Sequence, residues 1–270
     1  MKYFVCLILF SVNAFATPNV VVSIKPIHSI VSNLMQGVGT PTLLLKGSQS
    51  AHYVHLQPSQ LSAINQADLL ISIHPQFEAG LAKALNNVDS NKQILVNNDT
   101  NPENHSWLDF NRMQNLSDNI AQKLSAIDPS NAEIYQHNLQ RMQQTLTQLA
   151  RDNTQKLTPY KNTQIAVFST ALLPFLSAHH LQKPIVITQT HGDRLSIFKI
   201  RNAKRAMQTQ QTKCLLSTVE IPNKRIKTLS EGLNIATASI DIIGFNIEQG
   251  TQHYTQLMNT INHQMVQCLK

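Results

Sequence analysis

The chain has 270 residues, 42% of them hydrophobic and 14% charged, with a formal net charge of +7. The apolar content supports packed cores. The basic residues are scattered, and their densest group, Lys199 to Arg205, fits the solvated face of a helix, so the positive balance does not point to nucleic acid.

The first residues read as an export signal. Lys2 gives a positive start, Tyr3 to Val12 is almost wholly apolar, and Ala14-Phe15-Ala16 places small residues where a signal peptidase reads. Cleavage after Ala16 is expected, with Cys6 leaving in the leader. The apolar run is too short for a membrane anchor, which needs about 20 residues. The remaining chain, about 254 residues, suffices for two small domains or one large one. Cys214 and Cys268 are then left in an oxidising compartment and read as a disulfide across 54 positions. Such a loop is worth about 4 kcal/mol of chain entropy. A thiolate metal site is the rival reading, weakened by the distance between the two thiols.

Strands and helices alternate along the chain. Val20 to Ile24 reads as a strand and His28 to Met35 as a helix after Pro26. Thr42 to Leu45 reads as a strand, and Pro58 starts a helix reaching Gln66. Leu69 to Ile73 is a continuous apolar run, as in a strand buried on both faces. Phe77 to Leu85 has a helical pattern, Gln93 to Val96 a strand pattern, and Phe110 to Ile127 a helical one closed by Pro129. Ser130 and Glu133 then have capping-box spacing. Tyr135, Leu139, Met142, Leu146 and Leu149 form one apolar stripe, so a helix of about 28 residues and about 42 Å is expected before Pro159. Alternation resumes with strands at Ile165 to Phe168, Pro184 to Thr188, Cys214 to Ser217 and Ala236 to Ile240. Helices are expected at Leu172 to His179, Ile200 to Gln208, Lys224 to Gly232 and Thr251 to Leu269. The pattern predicts an α/β protein of two lobes with mostly parallel sheets flanked by helices, joined by one long rigid helix. The expected units are a leader at 1–16, a first lobe at 17–128, the connecting helix at 129–158 and a second lobe at 159–270. Ligands of such sheets bind beyond the carboxyl ends of the strands, here in a cleft between the lobes.

Histidine is the over-represented reactive residue, at 11 in the chain. His52 and His105 fall in loops after predicted strands, and Asp241 follows the strand Ala236 to Ile240. Imidazoles with a carboxylate suit zinc, and also manganese or iron. On spacing alone a loop histidine is more often a plain surface residue. His137, His253 and His263 fall in predicted helices and read as surface residues, His28 as structural, and His74 as a strand-end residue near the cleft. His179-His180 points its two rings about 100° apart on a helix and makes a poor clamp. Neither G-x-S-x-G, H-E-x-x-H nor a P-loop occurs, which argues against a secreted hydrolase.

An ordered set of motifs runs through the chain: VVSIKPIHSIV at Val21 to Val31, AHYVHLQPSQL at Ala51 to Leu61, and QADLLISIHPQFE at Gln66 to Glu78. NHSWLD at Asn104 to Asp109, IAVF at Ile165 to Phe168 and SIDIIG at Ser239 to Gly244 follow. The set resembles the periplasmic metal-binding components of bacterial ABC transporters, the zinc-uptake proteins of the ZnuA type in particular. The Cys214/Cys268 pair matches a disulfide of that zinc group. The resemblance implies a periplasmic, non-enzymatic, monomeric solute-binding protein that delivers zinc, or as second choice manganese, to an inner-membrane permease. By position it implies His52, His105 and Asp241 as ligands. The fourth ligand position, a His in zinc relatives and a Glu in manganese relatives, is Ser169 here, and a hydroxyl is a poor zinc ligand at neutral pH. The long His- and Asp-rich loop of many zinc members is also missing. Three outcomes follow: water completes the tetrahedron, His191 or His74 fills the place, or tight metal binding is lost. In the last case the scaffold serves a metal-free binding protein or adhesin.

Overall fold

Short, β-branched or apolar strands and amphipathic helices build two sheets of the same design. The computed structural model describes residues 17–47, 49, 51–97, 105–190 and 192–270. The expected leader (1–16) and His191 lie outside the described residues.

The first sheet holds β1 (Val20–Val22), β2 (Thr42–Leu43), β3 (Leu69–Ser72) and β4 (Gln93–Leu95), ordered β2-β1-β3-β4 and all parallel. The second holds β5 (Ile165–Val167), β6 (Ile185–Val186), β7 (Cys214–Thr218) and β8 (Ala236–Ile240), ordered β6-β5-β7-β8 and again all parallel. Parallel strands need crossovers, and helices supply them. They are α1 (Lys25–Leu34), α2 (Pro58–Asn65) and α3 (Ala82–Leu85) in the first lobe, and α6 (Leu173–Ala178), α7 (Ile197–Thr209) and α8 (Asn223–Ser230) in the second. In both orders the chain reverses its direction of winding at the first strand. Crevices for ligands therefore open beyond the carboxyl ends of β1 and β3, and of β5 and β7.

Between the sheets run α4 (Phe110–Ile127) and α5 (Ala132–Leu157), and α9 (His253–Leu269) closes the chain. The stripe of α5 is buried as its spacing predicts, from Tyr135 through Leu149. Its 26 residues span about 39 Å. It packs on α1, α4 and α9, and α1 and α9 also touch each other. One continuous apolar core therefore runs from Val20 to Leu269 through both lobes, and a smaller core around Phe168, Leu215 and Leu229 covers the outer face of the second sheet. Cys214 on β7 and Cys268 on α9 form the expected disulfide, with Cα atoms 5.7 Å apart.

Two expectations about the scaffold need correction. The capping box at Ser130 and Glu133 does not form: Asp128 takes hydrogen bonds from the Ser130 hydroxyl, the Asn131 amide and the Tyr135 phenol, and Pro129–Asn131 forms a tight turn before α5 begins. The helix expected from Phe77 shrinks to Ala82–Leu85, because residues 75–81 form turns that carry Phe77 and Glu78 inward, both buried.

Candidate metal centre

His52 sits in a single helical turn, Ala51–Tyr53, between β2 and α2. Downstream, a capping box in which the Gln57 N–H donates to Gln60 Oε1 at 2.8 Å fixes the start of α2. Upstream of α3, Gly80 lies so close to Val54 that any Cβ would fall 1.8 Å from the Val54 carbonyl oxygen. A larger residue there would push the His52 loop off the 74–81 segment. The His52 ring packs on Phe77, centres 4.2 Å apart. His105, buried ahead of the turn Ser106–Leu108, packs on the same Phe77 at 5.2 Å and on Trp107 at 5.0 Å. The structure thus brings His52 and His105 together, with ring centres 6.0 Å apart. An ion about 2.0–2.1 Å from one nitrogen of each ring would lie about 3.2 Å from each ring centre, and a tetrahedral angle would then separate the centres by about 5.2 Å. The observed spacing lies within about 1 Å of that.

Asp241 follows β8 directly. Its carboxylate accepts from the N–H groups of Ile243 (3.0 Å), Gly244 (2.8 Å) and Phe245 (2.7 Å), which uses three of about four lone-pair positions. The carbonyls of the same turn face the other way. Lys25 Nζ donates to those of Gly244, Phe245 and Ile247 at 2.8–3.3 Å, from the start of α1 in the opposite lobe. His253 completes the frame, with Nε2 2.9 Å from the Ile243 carbonyl and Nδ1 3.1 Å from that of Glu248. A neutral ring carries one N–H, so only one of the two carbonyls receives a hydrogen at a time. Burial lowers the pKa of His253, the carbonyls raise it, and the charge of Lys25 lowers it; the net direction is down. The expectation that His253 is a surface residue is therefore wrong. It is 1% exposed, because α9 starts underneath the turn that Asp241 organises.

The two halves are tied beside these residues. Trp107 Nε1 donates to the Ile242 carbonyl at 2.7 Å, and the Tyr254 phenol donates to the Trp107 carbonyl at 2.8 Å. Ser29 Oγ donates to the Thr251 carbonyl and accepts the Tyr254 N–H. Lys25 stands inside the first of the ordered motifs, but its role was missed, because its partners lie 219 to 222 residues away and leave no local signal. Trp107, the single tryptophan, was visible only as part of its motif.

Ser169 is buried just past β5. The neighbouring Thr170 hydroxyl donates to the Gln189 carbonyl, so the segment up to residue 190 passes beside Ser169. His74 follows β3 and accepts the Gln76 N–H on Nδ1. Among the described residues, no three His, Cys, Asp or Glu side chains are grouped closely enough to hold an ion as they stand.

Two buried ionisable groups flank this region. Glu78, next to Phe77, accepts the Ile73 N–H at 2.7 Å, and burial pushes its carboxyl up to about 7 against the lowering pull of the Ser23 hydroxyl and the backbone at Ile73 and His74. His179, at the end of α6, bonds the Thr154 hydroxyl and packs on Phe110 and Phe175. Burial, helped by the nearby His180, lowers it to about 4.

The profile of the family described as ZnuA, zinc-uptake complex component A, periplasmic, matches residues 20–268. The chain is 25% identical to the high-affinity zinc uptake system protein ZnuA of Brucella abortus, covering 93% of this chain and 91% of that one. Among solved structures it resembles FpvC of Pseudomonas aeruginosa in complex with Ni2+, with TM-score 0.81, 17% identity and coverage of 94% and 97%. It also resembles a Cd-bound periplasmic metal-binding protein from Candidatus Liberibacter asiaticus, with TM-score 0.79, 17% identity and coverage of 94% and 100%. At these identities the solved structures establish the fold, two lobes of parallel sheet and helix.

Proposed function

This chain belongs to the family of periplasmic A components of zinc-uptake complexes, and on that premise we propose that it captures a divalent transition metal, zinc first and manganese second, between its lobes and delivers it to an ABC permease. The observation that carries the reading is the His52–His105 pair, 6.0 Å apart at the junction of the lobes. Asp241 is the proposed third ligand, its orientation fixed by the amides of residues 243–245. The fourth position falls to water, with His191 the first candidate to replace it, since Gln189, two residues earlier, is tied to Thr170 beside Ser169. His74 is the weaker substitute.

Capture requires no chemical step. Imidazoles and a carboxylate replace water around the ion, and protons compete for the same lone pairs, so affinity falls as pH drops. The ties across the junction favour small adjustments of side chains and turns over wide hinge closure. Release then falls to the permease. The reading includes a leader at 1–16 cleaved after Ala16, a monomeric exported chain, lobes at 17–128 and 159–270, and the connecting helix at 129–158. Elemental analysis of the protein purified from its native compartment tests it: zinc or manganese bound to wild type and missing from the His105→Ala variant is expected. Metal-free wild type that also fails to load with either ion favours the metal-free binding protein.

A further inference from the structure

Lysines and arginines occur throughout the chain, but the net excess of positive charge arises in one stretch. Between Arg194 and Lys227 there are nine lysines or arginines and one acidic residue, Glu220, a balance of +8 in a chain whose total is +7. That stretch covers α7, β7 and most of α8. Both helices begin at the carboxyl end of the second sheet, the end that also bears Ser169 and Asp241. The cations near those starts, Arg194, Lys199, Arg201, Lys224 and Arg225, therefore lie on the rim of the side where the two lobes meet, whereas Lys213, just ahead of β7, and Lys204, bonded to the Glu231 carbonyl, lie toward the opposite end.

Two large apolar side chains project from the same place. Ile197 is 86% exposed and Phe198 62%, the highest values among the large hydrophobic residues described. The Ser196 hydroxyl caps the helix through the Lys199 N–H, and the Asp193 carboxylate holds the turn ahead of it through Gln189 and Thr190, so the pair stands on a built corner. Arg201 lies 5.9 Å over the Phe198 ring. Beside the pair, a groove between the starts of α7 and α8 is lined by Leu195, Ile200 and Pro222 and by the cations Arg194, Lys224 and Arg225.

We propose that this corner is a peripheral docking surface for an anionic lipid bilayer, with Ile197 and Phe198 entering the boundary between headgroups and acyl chains and the surrounding cations contacting lipid phosphates. Projecting apolar side chains ringed by long cationic ones match a soft, uniformly negative surface. A recessed pocket for one fixed carboxylate partner would bury its apolar part instead. No described helix is long and apolar enough to cross a membrane, so the contact is superficial. It would hold the carrier on the membrane that contains its permease, cleft rim toward the bilayer. The docking surface is independent of the metal site, so its failure would leave the metal reading untouched.

The test is co-sedimentation of the purified exported protein with vesicles of phosphatidylglycerol and phosphatidylethanolamine in equal parts, against vesicles of phosphatidylcholine alone. Binding to the first only, reversed by high salt, is expected. The double variant Ile197→Ser/Phe198→Ser and the charge variant Arg201→Glu/Lys224→Glu should each weaken it by about tenfold or more. All four positions are exposed, and circular dichroism would verify that the fold persists. Absence of binding, equal binding to both vesicles, or variants that bind like wild type would overturn the proposal. Capture of polyglutamate without vesicle binding would assign the corner to an acidic protein and likewise overturn it.

Discussion

Trp107 and Ile242 are joined by a hydrogen bond of 2.7 Å from the indole N–H to the main-chain carbonyl, across a gap of 135 residues. The bond ties the residue two places after His105 to the residue directly after Asp241. Two proposed ligands from different lobes thus share one rigid link, with Trp107 fully buried at its centre.

Trp107→Phe keeps most of the apolar bulk and removes the donor. The Ile242 carbonyl would be left buried without its partner, at a cost of about 1–3 kcal/mol. Urea unfolding should register that loss. Metal affinity should also fall, by about 10- to 100-fold, as for other residues that orient ligands. Unchanged affinity would mean the link serves stability alone.

Gly244 lies at φ +75° inside the Asp241 turn, and a Cβ there would meet His253 Cε1 at 2.7 Å. Gly244→Ala should therefore cost about 1–3 kcal/mol through the left-handed backbone and the contact together. Both effects push on the turn that orients Asp241, so zinc affinity should drop with stability, measured by titration calorimetry and thermal unfolding of the same sample.

Glu78 gives a pH dependence with a definite sign. Its carboxyl titrates near 7 in the fold against an ordinary value of 4.5. The folded state therefore binds the proton more tightly. That contribution is full below the unfolded value and is lost as pH rises through about 7, worth about 3 kcal/mol in all. Glu78→Gln retains an acceptor for the Ile73 N–H and does not titrate. It should be more stable than wild type near pH 8, with the difference vanishing near pH 4. Urea unfolding at the two pH values checks this, and a difference independent of pH would contradict it.

The disulfide joins the central β7 strand to the closing helix α9 across 54 positions. Replacing Cys214 and Cys268 together by Ala should lower unfolding free energy by about 4 kcal/mol. Reduction of the wild type should reproduce most of that loss.

The scaffold was legible from the residues because periodicity reports burial. The stripe of α5 and the apolar run of β3 are buried where their patterns place them. Ser130 misled because Asp128, two residues earlier, competes for its hydroxyl. His253 misled because its partners are backbone carbonyls, which any sequence supplies. The same reason hides Lys25, whose three acceptors are carbonyls of the other lobe. Of the candidate site, the approach of His52 to His105 was available only through the ordered motifs, since the two lie in separate loops with no helical or strand spacing between them.

Zinc capture by His52, His105 and Asp241 is tested most directly by calorimetric titration of zinc into the metal-stripped protein and its His52→Ala, His105→Ala and Asp241→Asn variants. One ion per chain is expected for the wild type. Each variant should show an affinity lower by at least about 100-fold, more than the loss typical of an orienting residue. No zinc uptake by the wild type, or variants that bind as it does, would contradict the assignment.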